Sequence, residues 1–188
     1  SNALTTVARV KAQPGLAEWR LLLPVLREVV AAGGHVLLIG PPHVPHLPGL
    51  AQQGLPAERV VRIEVATAAE RLWATEQALR CADVDAVLAW LVQVRPEQLR
   101  RLQIASAEFD KLLFVLRPQA AQTESSPAAL RLWAAPSPER HSGALGAGLV
   151  VRALKRRGPP LVQPLHLAAR PAHLARLLAA SGVAPTRR

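Results

Sequence analysis

His35–Gly40 reads HVLLIG and Val84–Leu91 reads VDAVLAWL. Each is a short apolar run without a polar side, as expected of a strand buried on both faces of a sheet. Such strands belong to parallel sheets covered by helices, so helical patterns should fill the intervals between them. Leu16–Ala32 repeats apolar residues at helical spacing, with Leu22, Val25, Leu26, Val29 and Val30 on one side, and Gly33-Gly34 ends it. Pro24 inside that pattern predicts a kink or a late helix start. Thr67–Cys81 is a second helix: Thr67 can cap it with Glu70 three residues on, and Ala69, Leu72, Trp73, Ala78 and Leu79 form its apolar side. Pro96–Glu108 is a third, with proline in its first turn. Leu4–Val10, Val60–Val65 and Leu112–Leu116 supply further strands, and the proline-rich Pro41–Pro48 is a loop. Ala129–Ala134, Leu149–Leu154 and Leu161–Leu167 read as later strands that extend one edge antiparallel. The order predicts an α/β fold with a mostly parallel central sheet and helices on both faces.

The chain has 188 residues, half of them hydrophobic, enough for one domain with a sizeable core. Ser1-Asn2-Ala3 reads as a tag-cleavage scar, residues 4–168 as the core domain and residues 169–188 as a basic C-terminal tail, with a short helix at His173–Ala180. No methionine occurs, so the native initiator is expected to be missing, with a natural N-terminal segment absent. The single cysteine, Cys81, excludes an internal disulfide framework and a cysteine-based zinc cluster. No apolar run approaches the roughly 20 residues of a membrane helix, and no secretory signal is visible, so a cytoplasmic chain is expected.

Charge is unevenly spread. Lys and Arg outnumber Asp and Glu by 23 to 13, for a formal charge of +10. Up to Leu112 there are 12 basic and 11 acidic residues; from Leu113 onward there are 11 basic and only two acidic, Glu124 and Glu139. A cationic segment on a neutral domain suits an acidic partner, either nucleic acid or an acidic protein surface. It equally suits a solubilising surface in an arginine-rich composition.

Enzyme chemistry is sparse. Where a first strand turns into a helix, a phosphate loop needs two glycines, a lysine for the phosphates and a hydroxyl for magnesium. Here Ala12 and Ala17 stand at the glycine positions, Gly15 lies between them, Glu18 replaces the lysine and Trp19 the hydroxyl. At the end of the buried strand Val84–Leu91, where a magnesium-binding carboxylate is expected, stands Trp90. Two readings fit these residues: a nucleotide site that was lost, or a fold that never had one. His43 and His46 lie three apart in the proline-rich loop without acidic or cysteine partners nearby, which suits a solvated loop better than a metal site. Neither a cofactor nor a metal is expected, and the chain reads as a non-enzyme; an ATPase with a non-standard phosphate site is the least favoured alternative.

PGLAEWRLLLPVL (14–26), HVLLIGPPHVPHLPGL (35–50), LWATEQALRCADVDAVLAWL (72–91), LRRLQIA (99–105), FVLRPQ (114–119), SPAALRL (126–132) and LKRRGPP (154–160) together resemble the ImuA/SulA group of RecA-like proteins. LKRRGPP and the long basic C-terminal part favour the ImuA-like branch. The resemblance implies a RecA-like three-layer fold with a degenerate phosphate loop. It implies an adaptor in SOS-induced mutagenic translesion synthesis and DNA repair, docked on an ImuB-type relative of the Y-family polymerases. The SulA-like alternative binds the division GTPase FtsZ and blocks its polymerisation. RecA itself is a further candidate partner, self-association is compatible with either branch, and the shortened loops put direct DNA contact in doubt. Arg152, Lys155, Arg156 and Arg157 fall where RecA reaches a neighbouring subunit and are the leading partner-binding candidates; a solvated turn is the plainer reading. Trp133 beside Arg131 suits a partner anchor if it faces out. Trp19 and Trp90 are candidates to pack together over the vacated site.

Overall fold

The computed structural model describes residues 5–8, 16–137 and 148–168. Eight strands form one sheet: β1 (Thr5–Ala8), β2 (Val36–Ile39), β3 (Val60–Ile63), β4 (Ala86–Trp90), β5 (Leu112–Arg117), β6 (Leu130–Pro136), β7 (Gly148–Lys155) and β8 (Leu165–Ala168). Their order across the sheet is β3-β2-β4-β5-β1-β6-β7-β8. The first six positions in that order are joined by parallel pairings, while β6–β7 and β7–β8 are antiparallel. Among the described residues, four α-helices accompany it: α1 (Leu16–Ala31), α2 (Leu47–Gln52), α3 (Ala68–Arg80) and α4 (Pro96–Glu108).

The apolar runs are strands because both faces of the sheet are covered. In β2, Val36 and Leu38 join the core beneath α1, with Leu22, Leu23 and Leu26; Leu37 and Ile39 join the opposite core, with Ala74, Ala78 and Leu79 of α3 and Leu99 and Leu102 of α4. β4 alternates likewise, sending Ala86, Leu88 and Trp90 to the first core and Val87 and Ala89 to the second. Truncating a fully buried leucine such as Leu26 or Leu99 would remove about 2–5 kcal/mol. Pro24 does not delay α1, which starts at Leu16 with an exposed Pro24 inside it. The start of α3 follows the sequence pattern: Thr67 Oγ1 accepts from the Glu70 amide, and Glu70 Oε2 accepts from the Thr67 amide at 2.8 Å. The apolar side expected for that helix needs correction at Trp73, which is 65% exposed. Helix and sheet meet instead through the smaller Ala74, Thr75 and Ala78.

The expectation of a RecA-like P-loop fold is corrected: the sheet is mixed, parallel from β3 through β6 and antiparallel at the β6-β7-β8 edge, an arrangement that does not by itself define a RecA-like family. Strand–helix alternation determines layers but is shared by many unrelated α/β families, so it cannot carry a family assignment. The loop that would define the P-loop type, with Ala12 and Gly15, lies outside the described residues. So do the expected tag scar at 1–3, residues 138–147 of the Gly-, Pro- and Ser-rich stretch Pro136–Gly148 that reads as a flexible connection, and the expected basic tail at 169–188. None of the described helices is long and apolar enough to cross a membrane.

Candidate functional site

The carboxyl ends of parallel strands are where α/β sheets gather loops, because each strand there hands the chain to a helix on one face or the other. In this molecule β2 is followed by Gly40, β3 by Glu64–Ala66 and β4 by Leu91–Gln93. Arg71, one turn into α3, crosses the gap between them. Its Nη1 reaches the Trp90 carbonyl at 3.4 Å, and its Nε is buried without a hydrogen-bond partner. Gly40 makes room for it: φ there is +58°, and a Cβ on that residue would stand 2.8 Å from Arg71 Nε. Two recesses meet at this side chain. One, of about 180 Å³, is lined by Ala66, Ala68, Arg71, Leu91, Val92 and Gln93. The other, of about 460 Å³, is an open depression with Gly40, Pro41, Arg62, Glu64 and Arg71 on its walls. Arg62 Nη2 pairs with Glu64 Oε1 at 2.5 Å, so that depression already holds its own counter-charge.

The residues expected to bind a partner lie elsewhere. Trp133 and Arg152 are cross-strand neighbours on β6 and β7, and the Arg152 guanidinium sits 5.0 Å from the Trp133 ring centroid. Leu132, Ala134, Leu149 and Val151 point into the core beneath α1, so Trp133 and Arg152 occupy the other face of the sheet. Trp133 is half-buried there and Arg152 exposed. Arg131, on the same face, has Nη2 donating to the carbonyls of Ala121 and Gln122, both at 3.1 Å. Burial, followed by the nearby Arg117 charge, pushes its pKa down. Lys155 Nζ donates to the Ser126 carbonyl at 3.0 Å. Arg131 and Lys155 thus tie down the chain between β5 and β6, while Arg156 and Arg157 stand exposed in the following turn. That turn leaves the end of antiparallel β7 and so lies at the amino end of the parallel strands, opposite Arg71.

Around the expected nucleotide site, Ala17, Glu18 and Trp19 fall in the first turn of α1. Trp90 is 5% exposed in the core beneath α1, with Nε1 lacking a hydrogen-bond partner, and Trp19 packs against the same core. A tryptophan in that core offers no ligand for magnesium. His46 proves to be a helix cap: Nδ1 accepts from the Gly49 amide at 3.1 Å. Among the described residues, no group of three or more His, Cys, Asp or Glu side chains converges as a metal site would require. Sequence reasoning missed Arg71, which looked like one more charge on a helix. It also missed Arg117, 3% exposed at the end of β5 and paired with Glu124 at 2.8 Å. The one available signal was the arginine ending the apolar run LLFVLR.

Comparison with known proteins places these features in a family context. Residues 3–112 match the family described as "Cell division inhibitor SulA". The chain is 30% identical over 112 residues to the cell division inhibitor SulA of Photorhabdus laumondii, covering 60% of this chain and 63% of that one. It is 29% identical over 127 residues to SulA of Edwardsiella piscicida, covering 68% and 70% respectively. The chain therefore spans less than two thirds of the length of the Photorhabdus relative. A crystal structure of SulA from Pseudomonas aeruginosa aligns at 24% identity with a TM-score of 0.49, over 61% of this chain and 97% of that one. The family match and the curated SulA relatives overturn the ImuA-like reading, together with the RecA-like P-loop frame, the translesion-synthesis role and the ImuB-type partner that came with it. The basic LKRRGPP segment that favoured ImuA lies beyond residue 112, outside the family match.

Proposed function

This chain belongs to the SulA family of cell division inhibitors, and from that premise we propose that it binds the division GTPase FtsZ and blocks its polymerisation. The observation that supports this reading is the continuous match over residues 3–112, which spans the strands and helices around Arg71. Members of the family are not catalysts, and this chain is not an enzyme. Its action on a partner is therefore binding, with apolar contacts supplying free energy and charge supplying orientation and encounter rate.

The matched segment carries the elements that build the carboxyl edge of the sheet, where Val44, Leu47 and Val92 are exposed and Val92 shares a recess with Arg71. Arg152 on β7 and Arg156 and Arg157 in the turn after it lie away from that edge, the turn at the opposite end of the sheet, and serve in this reading as a positive field that raises the encounter rate with an acidic protein. FtsZ assembly followed by light scattering and pelleting tests the proposal. Added chain should suppress GTP-dependent polymer and co-elute with FtsZ in gel filtration. Polymerisation that proceeds unchanged in a molar excess of folded chain would refute it.

A further inference from the structure

We propose that the recess at Arg71 receives a carboxylate side chain of FtsZ, with the Arg71 guanidinium as its counter-charge. The inference rests on the FtsZ reading and deepens it by naming the chemistry of one contact. A partly buried guanidinium is costly unless its donors are matched. Arg71 makes one long bond to the Trp90 carbonyl, its Nε has no partner, and no carboxylate among the described residues pairs with it. Gly40 leaves room for the side chain in that position, since a Cβ there would stand 2.8 Å from Nε. The smaller recess, about 180 Å³, has the volume of about six water molecules, enough for the end of an aspartate or glutamate. Its walls pair the Arg71 charge with Leu91 and the 55%-exposed Val92, the mixture that a protein side chain with an apolar stem requires.

A phosphate is the poorer occupant. At the start of α3, Glu70 Oε2 already accepts from the Ala66 and Thr67 amides, at 3.0 and 2.8 Å, so the donors a phosphate would seek are taken by a carboxylate. Glu64 on the neighbouring wall is already paired with Arg62. A dianion meets the Glu70 carboxylate; a single carboxylate engaged by Arg71 meets less repulsion and fits the chemistry of a guanidinium fork.

The test measures binding of full-length chain to FtsZ, with thermal melts as the check on folding. Arg71→Gln keeps the stem and drops the charge; it should weaken binding about tenfold or more, mainly by faster dissociation. Arg71→Lys keeps the charge without the fork and should fall between the two. Arg71→Glu should bind poorly, and an Asp/Glu→Lys scan of FtsZ should yield one variant that restores it. Wild-type affinity in folded Arg71→Gln, or no rescuing position in the scan, overturns the inference while leaving the division-inhibitor reading intact. Wild-type chain that does not bind FtsZ overturns both. Saturable binding of inorganic phosphate at about 1 mM or below, lost in Arg71→Gln, would assign the recess to an anion and overturn the carboxylate.

Discussion

Arg131 and Arg156 are both cations of the strongly basic C-terminal part, and their surroundings give them different physical tasks. The Arg131 guanidinium holds the carbonyls of Ala121 and Gln122 in the short 3-10 turn Gln119–Thr123. Arg131→Met leaves those acceptors without a donor and should cost about 1–2 kcal/mol, read as a lower melting temperature, with little change in FtsZ affinity once folded. Arg156 and Arg157 are exposed, and Arg156 Nε contacts only the carbonyl of the next residue. Reversing both to Glu should leave the melt unchanged and slow association with FtsZ at low salt. Dissociation should hardly change, and the difference should fade as the Debye length shrinks toward roughly 3 Å near 1 M salt. Stopped-flow association at two salt concentrations separates this from a contact role, which would show in dissociation. Lys155 belongs with Arg131, because its ammonium is committed to Ser126. A run of basic letters thus mixes structural donors with free surface charge, and only the carbonyls they meet tell them apart.

At the scale of the element, α3 shows how a local rule becomes a stability term. Its carboxylate cap is held below the ordinary 4.5 by the backbone hydrogen bond from Thr67, then by the side-chain bond with Thr67. Because the folded value lies below the unfolded one, the charged cap contributes above the unfolded pKa, and that contribution is lost as pH falls through the folded value. Glu70→Gln should therefore melt below wild type near neutral pH, and the gap should close as pH falls below the ordinary glutamate range through the lowered folded value. Thr67→Ala, which removes the acceptor for the Glu70 amide, should cost about 1 kcal/mol in a denaturant titration. This element was legible because capping is local: Thr67 and Glu70 identify the start without knowledge of the rest of the chain. The buried strands were legible for a similar reason, since alternate residues of HVLLIG and VDAVLAWL must satisfy two cores at once. Trp73 was misread because a large apolar residue draws a helical face toward itself, whereas close approach to a sheet selects Ala74, Thr75 and Ala78. Arg71 was not legible at all: its role depends on Gly40 and Trp90, which meet it only through the pairing of β2 with β4. The family branch was misjudged on LKRRGPP, where composition imitates a motif.

For the molecule as a whole, the decisive property is that a chain without catalysis can change its partner only by occupying it. In the proposed complex each copy would remove one binding surface of FtsZ from assembly for as long as the complex lasts, so the proposed effect must follow mass action. With a tight complex, the concentration of chain that halves FtsZ polymer should rise in proportion to total FtsZ; with a weak one, it should approach the dissociation constant. In neither case can a small sub-stoichiometric amount suffice. Varying the chain at two FtsZ concentrations, with polymer measured by pelleting, distinguishes these regimes. A midpoint far below both the FtsZ concentration and the measured dissociation constant would mean turnover or filament-end capping and would contradict one-to-one sequestration. Arg71→Gln should move the same titration from the tight regime toward the weak one, so that the midpoint leaves the stoichiometric line and comes to scale with the measured dissociation constant. The residue-scale contact and the whole-molecule dose response are then two measurements of one free energy, and disagreement between them would place the contact at Arg71 outside the inhibitory complex.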